Sequence, residues 1–161
     1  VIVNPGVIIG YNFNSKSSSS IFKRVKRESP FYTNGRIALV DINDVVKAMV
    51  LLMNSNIKNE RFILVSENIT QKKFLDKIAI KMNKKKPRIK LTRGILISIL
   101  IIEKVLNIFR LKRTFFSYAL IDTLFSLQDY DGQKIKKKIN FNYASIEKSL
   151  ETYFNNFQKT K

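Results

Sequence analysis

The chain has 161 residues, of which 45% are hydrophobic, and a formal net charge of +18 at pH 7, so its length and apolar content suit a single domain. It contains neither cysteine nor histidine, which excludes disulfides, thiolate nucleophiles, cysteine- or histidine-ligated zinc and Ser-His-Asp triads within these residues. The lack of cysteine suits a cytoplasmic protein, and we expect no metal site.

The positive charge is concentrated in the second half of the chain. Residues 81–161 contain 18 basic and 6 acidic residues, whereas residues 1–80 contain 12 and 6. Specific nucleic-acid recognition favours arginines interleaved with aromatic residues on one face, but here lysines are scattered through the polar stretches. We therefore expect no nucleic-acid partner, and the second half is the better candidate for contact with an acidic partner or a membrane.

The first ten residues, VIVNPGVIIG, predict a fully buried strand of a parallel sheet. A buried strand needs neighbours, so we expect these residues to belong to the later portion of a longer protein. In open parallel sheets, ligands bind beyond the carboxyl ends of the strands. Pro5 lacks a backbone donor and Gly6 permits close approach, so Asn4, Pro5 and Gly6 fit either a ligand crevice or an ordinary strand-ending turn.

Strands and helices then alternate. One of the serines at 17–20 can cap a short helix that ends before Pro30, and residues 37–40 form a short strand. Asp41 or the pair at 43–44 caps a helix to about residue 53, residues 61–66 form a strand, and Thr70 caps a helix with apolar residues at helical spacing as far as residue 82.

The second half is predicted to be mainly helical. We expect an extended segment at 88–91, helices at about 93–109 and 114–126, a short basic helix at 134–138, and a terminal helix capped by Ser145. The whole pattern predicts an α/β fold, with residues 1–66 associated with the sheet and residues 67–161 forming a mainly helical lobe.

The most apolar stretch is the nine residues at 94–102, between Arg93 and Glu103. It is far shorter than the roughly 20 residues that span a bilayer. The sequence favours a packed core helix, with association at a membrane surface as the alternative that the basic residues Arg110, Lys112 and Arg113 support. The lysine runs at 84–86 and 136–138 are predicted to be solvated.

Four patterns in order resemble the extended short-chain dehydrogenase/reductase family of NAD(P)-dependent epimerases, dehydratases and reductases. VNPGVIIG at 3–10 resembles its strand with the Arg/Asn-Pro-x-x-x-x-Gly signature, and PFYTNG at 30–35 with LVDINDVV at 39–46 resembles its glycine turn and V-D-V-x-D-V-A element. FILVS at 62–66 with Ile69-Thr70 resembles the next strand and helix start, and YD at 130–131 with KIKKKINF at 134–141 resembles the family's tail.

The resemblance implies the C-terminal part of a Rossmann-type, doubly wound sheet with a mainly helical substrate-binding lobe. It implies NAD or NADP as cofactor, a small-molecule substrate and a homodimer at full length. Its catalytic Tyr-x-x-x-Lys and glycine-rich fingerprint lie upstream of the first strand. Neither occurs here at a suitable position, so we assign no catalytic residue and expect these residues alone to be inactive.

The resemblance also implies contacts with the ligands. Residues facing the nicotinamide map to Asn4, Pro5, Gly6 and Val7, which then form the retained wall of the active site. Substrate contacts map to Tyr11, Phe13, Asn14 and Arg36, while Asp44 is expected to cap a helix.

The choice of substrate remains open between branches of the family. The Asn-Pro-Gly sequence, and Asp41 where many sugar-nucleotide enzymes carry histidine, look closer to the dihydroflavonol-reductase-like branch. A reductase is therefore favoured, with a sugar-nucleotide epimerase or dehydratase as one alternative. The other alternative is a non-catalytic basic module that binds a membrane or nucleic acid. Peripheral contact with a membrane is the one macromolecular partner interaction that we keep open for the enzyme as well.

Overall fold

The computed structural model describes residues 1–10, 19–108 and 117–159. The strands among them are β1 (Ile2–Pro5), β2 (Val7–Ile9), β3 (Phe31–Tyr32), β4 (Arg36–Asp41), β5 (Arg61–Leu64), β6 (Glu67–Thr70) and β7 (Ile89–Lys90). The helices are α1 (Ser19–Lys26), α2 (Ile42–Met53), α3 (Gln71–Lys81), α4 (Arg93–Ile108), α5 (Tyr118–Phe125), α6 (Gln133–Ile139) and α7 (Ile146–Lys159).

Three of the four strand pairs are parallel. β1 lies beside β5 with Val3 opposite Phe62, β2 lies beside β4, and β3 lies beside β7. β6 turns back to pair antiparallel with β4. Parallel neighbours require crossover connections, which helices supply here, and the predicted α/β class is confirmed.

Three clusters of buried side chains hold these elements together. The first packs α1, α3 and α7 against β2, β4 and β6, and the second packs α2 and α6 against β5. The third joins α4 to α5 through Leu96, Leu100 and Ile121. The first two clusters both contain residues from before and after residue 66. The division of the chain there, into a sheet-associated part and a mainly helical lobe, stays a prediction.

The capping residues explain where several helices begin. The Asp41 carboxylate accepts a hydrogen bond of 2.7 Å from the backbone N–H of Asn43 at the start of α2. Thr70 Oγ1 accepts from the N–H of Lys73 in α3, and Ser145 Oγ accepts from that of Lys148 in α7. Each bond satisfies one of the backbone donors that a helix start leaves without a partner, as predicted for Thr70 and Ser145.

The prediction of a fully buried first strand is wrong for β1. Ile2 is 53% exposed and Asn4 and Pro5 are exposed, while in the second part of the strand Ile9 is buried. Among the described residues β1 has one strand neighbour, β5, so its other edge stays open.

Strand β6 was not predicted from the sequence, and the predicted start of a helix at residue 114 lies outside the described residues.

Two helices expose apolar side chains. The outer face of α2 carries Val46, Met49, Val50 and Met53, and α4 exposes Ile95, Ile99, Ile101 and Ile102. Within the part of the chain that the structure describes, no helix is both long and apolar enough to cross a membrane.

Candidate functional site

The first strand changes its partner at Gly6. Residues Ile2–Pro5 pair with β5, and Val7–Ile9 pair with β4. The Gly6 N–H donates to the carbonyl of Leu64 at 3.0 Å, which is the last bond to β5 before the change. Gly6 therefore lies where the chain leaves its pairing with β5 and begins its pairing with β4. The carboxyl end of β1 lies at this point, and in open α/β sheets ligands bind beyond the carboxyl ends of the strands.

Close backbone packing requires glycine at position 6. A Cβ placed there would lie 2.6 Å from the carbonyl oxygen of Ala38 in β4 and 3.2 Å from Cγ2 of Val65. The sequence predicted that Gly6 makes room for a ligand. The structure shows that the chain's own β4 occupies the space next to it, so Gly6 has a structural role whether or not a ligand also approaches.

Asn4 and Pro5 are exposed and Val7 is half-buried, so the residues expected to face the nicotinamide form an accessible rim beside the junction. Pro5 has no N–H to donate, which suits a position on a strand edge.

Arg36 lies at the start of β4, and its guanidinium is already engaged. Its Nε pairs with the carboxylate of Asp129, and Nη2 donates to the carbonyl of Asn68 at 3.1 Å. The side chain is half-buried, and its pairing with Asp129 lies at the surface. Tyr11, Phe13 and Asn14, the other expected substrate contacts, lie outside the described residues.

The loop at residues 126–132 closes over the end of β5. It was not predicted to be part of the site, although its Tyr130 and Asp131 belong to the fourth motif. The Asn68 side chain donates to the carbonyl of Tyr130 and accepts from its N–H, at 2.9 and 3.1 Å. A Cβ at Gly132 would lie 2.1 Å from the carbonyl oxygen of Val65, so the loop presses directly on the residue that borders Gly6. The sequence signals were the Tyr130-Asp131 pair of the family's tail motif and the glycine that follows it, and neither marked the loop as part of the site.

Asp44 has a different role from the predicted helix cap. Asp41 caps α2, whereas the buried Asp44 carboxylate accepts a bond of 2.8 Å from the N–H of Ala144. Burial raises the pKa of the Asp44 carboxyl, although that hydrogen bond opposes the effect. The interpretation of Asp44 as a cap was wrong because the carboxylate's partner is distant in sequence.

The chain contains one Tyr and Lys four residues apart near this loop, Tyr130 and Lys134, but their side chains have other partners. The Tyr130 hydroxyl bonds to Gln128 at 3.4 Å. Lys134 Nζ donates to the carbonyl of Arg61 and pairs with Glu60 at 2.7 Å. Because each side chain is bound to a different partner, we assign no catalytic pair here.

Among the described residues, no three acidic, cysteine or histidine side chains are grouped to hold a metal ion.

The fold is similar to solved structures of epimerases and reductases. A nucleoside-diphosphate-sugar epimerase from Pseudomonas aeruginosa matches with a TM-score of 0.71 and 15% identity, over 99% of this chain and 48% of that one. UDP-glucuronic acid 4-epimerase from Bacillus cereus, in complex with UDP-glucuronic acid and NAD, matches with 0.64 and 11%, over 100% and 46%. Gre2 from Candida albicans, in complex with NADPH, matches with 0.55 and 20%, over 95% and 43%.

The chain spans just under half the length of these proteins. No family model matches it, and no curated protein matches it. The chain thus has the fold of about half of an extended short-chain dehydrogenase/reductase, and the resemblance inferred from its four motifs is confirmed at the level of the fold.

Proposed function

We propose that these residues form the C-terminal, substrate-binding portion of an NAD(P)-dependent oxidoreductase or epimerase of the extended short-chain dehydrogenase/reductase family. The observation that carries the proposal is the end of the parallel strand β1 at the exposed Asn4 and Pro5, directly before the change of strand partner at Gly6. The fold shared with NAD- and NADPH-bound enzymes supports it.

Two uncovered surfaces support the view that further polypeptide completes the enzyme. The outer edge of β1 lacks a strand neighbour among the described residues, and exposed strand edges are normally paired or covered. The outer face of α2 exposes an apolar stripe that ends at Met53, which is 80% exposed. A dinucleotide-binding portion that docked there would bury both surfaces, and in the intact enzyme we expect a homodimer.

The nicotinamide cofactor, NAD or NADP, would supply hydride transfer to or from the substrate. Asn4 and Pro5 present exposed atoms that can line the nicotinamide ring, and Gly6 and Val7 fix the backbone behind them. The chain has no glycine-rich turn to hold the pyrophosphate. Its residues therefore fit the nicotinamide end of the cofactor and not the adenosine end. The dinucleotide-binding portion would supply the contacts to the adenosine end and the proton donor.

A reductase of a small or lipid-like carbonyl substrate fits Arg36 better than a sugar-nucleotide enzyme does. Clamping a diphosphate needs a guanidinium free to form paired bonds with phosphate oxygens. Arg36 is instead bound to Asp129 and to the carbonyl of Asn68. An epimerase or dehydratase remains the second candidate, because rotation of Asp129 away from Arg36 would free the guanidinium.

The proposal is tested on the polypeptide that contains this chain together with whatever sequence precedes Val1 in its reading frame. We expect that sequence to hold a glycine-rich strand–helix unit and a Tyr-x-x-x-Lys motif. The purified whole protein should bind NADH or NADPH and oxidise it in the presence of carbonyl substrates, or interconvert sugar nucleotides if the second candidate is right. Absence of both motifs together with absence of nucleotide binding would overturn the proposal.

A further inference from the structure

The outer side of α4 carries an apolar face that no described residue covers. Leu96 and Leu100 pack inward on Ile121 of α5, and the side of the helix next to this contact carries Ile95, Ile99 and Ile102, which we call the α4 apolar face. These three residues follow the i, i+4, i+7 spacing of a single stripe and are 47%, 36% and 58% exposed. Three large aliphatic side chains in one exposed stripe indicate a contact surface.

Positive charges lie near both ends of α4, two of them on the side of the helix that contacts α5. Lys90 and Arg93 lie at its N-terminal end, and Lys104 lies at its C-terminal end with its ammonium 4.9 Å from the centre of the Tyr118 ring. All of these side chains are exposed, although Arg93 also pairs with Asp122. An apolar helix face bounded by cations and an amphipathic aromatic ring is typical of a helix that lies in a membrane interface.

The charge of the chain discriminates between occupants of this face. A second copy docked symmetrically on this face would bring its own Lys90 and Lys104 close to those of the first, so like charges would meet there. An anionic lipid surface attracts the same charge, at about 1 kcal/mol for each basic residue close to it. We propose that α4 docks this protein on an anionic bilayer, with Ile95, Ile99 and Ile102 inserted among the acyl chains and Lys90 and Lys104 at the headgroups.

The docking is peripheral, and it does not depend on the nucleotide. The apolar part of α4 is too short to span a bilayer, so the helix axis lies parallel to the surface. Binding should therefore require anionic lipid, weaken with salt and remain in a protein that binds no cofactor.

The test is co-sedimentation of the 161-residue chain with vesicles of phosphatidylcholine alone and with about 30% phosphatidylglycerol. We expect binding to the anionic vesicles at low salt, little binding to the neutral ones, and a loss in about 0.5 M salt. Replacement Ile102→Glu should weaken binding about tenfold or more, because it places a carboxylate in the inserted stripe.

A matched variant separates insertion from general electrostatics. Met53→Glu makes the same change of charge on the exposed end of α2, and it should alter binding by less than about twofold. Circular dichroism of both variants checks that they are folded. The proposal is overturned if the chain ignores anionic vesicles at low salt or if both variants lose binding equally. If the wild-type chain does not bind vesicles but associates with itself, and Ile102→Glu abolishes that association, the face binds a second copy and the proposal is overturned.

Discussion

The carboxylate of Asp44 accepts a hydrogen bond of 2.8 Å from the backbone N–H of Ala144, one hundred residues further along the chain. The bond joins the first turn of α2 to the segment that leads into α7. It therefore links α2, which belongs to the second core cluster, with α7, which belongs to the first.

Removing this acceptor should destabilise the fold. In Asp44→Ala the half-buried N–H of Ala144 loses its partner, and an unsatisfied buried donor costs about 1–3 kcal/mol. Asp44→Asn keeps an oxygen acceptor and should lose less. Urea denaturation followed by circular dichroism measures both free energies of unfolding, and equal stability of the alanine variant and the wild type would contradict the role of this bond.

The same residue predicts a pH dependence. Because burial raises the pKa of Asp44 in the folded protein, the folded state holds that proton more tightly than the unfolded state does. The contribution of Asp44 to stability is therefore present below its unfolded pKa, near 3.9, and decreases as the pH rises through the raised value. The stability of Asp44→Asn relative to the wild type should improve over that range, and a constant difference between pH 3 and 7 would refute the shift.

Gly6 should tolerate no side chain. Because its Cβ would meet the backbone oxygen of Ala38 at 2.6 Å, we expect Gly6→Ala to lower the free energy of unfolding by about 1–3 kcal/mol. Gly94, in the first turn of α4, is the matched control, since a Cβ there meets nothing within 4 Å. Gly94→Ala should be neutral or raise stability by up to about 1 kcal/mol. Equal effects of the two substitutions in chemical denaturation would argue against the junction as described.

Tyr143 should ionise late. Burial raises the pKa of its phenol to about 12, and the hydroxyl donates to the carbonyl of Gly132 at 3.2 Å. The neutral form is thus favoured in the folded state, so its contribution to stability decreases as the pH rises from about 10 towards that value. We expect Tyr143→Phe to show a smaller fall in Tm between pH 9 and 11 than the wild type. Identical falls would show that Tyr143 titrates as an exposed phenol.

Local signals in the sequence predicted the helix starts correctly. Thr70 and Ser145 each accept a hydrogen bond from the backbone N–H three residues further on. Because this interaction lies within one helical turn, it can be predicted from neighbouring residues. The apolar run at residues 1–10 predicted a strand with parallel neighbours, and β1 and β2 do pair in parallel, with β5 and β4 respectively. The α/β fold class was predicted from the same run and from the family motifs.

Contacts between distant segments could not be predicted in this way. The partner of Asp44 is Ala144, and the residue that requires glycine at position 6 is Ala38, and neither is marked in the sequence. The exposure of Ile2 depends on which strand lies beside β1, and an apolar run alone does not reveal that. Strand β6 is polar and short, and it forms because β4 offers an edge for antiparallel pairing.

The most direct test of the account is the effect of Asn4 on cofactor affinity in the intact polypeptide. Asn4 is exposed beside the junction, so Asn4→Ala should leave the fold unchanged while removing a polar contact to the nicotinamide end. We expect the dissociation constant for NADH or NADPH, measured by cofactor fluorescence, to rise roughly three- to tenfold. The exposed loop variant Lys85→Ala should stay within about twofold of the wild type. An unchanged affinity in Asn4→Ala, or an equal change in both variants, would contradict the assignment of residues 4–7 to the wall of the cofactor site.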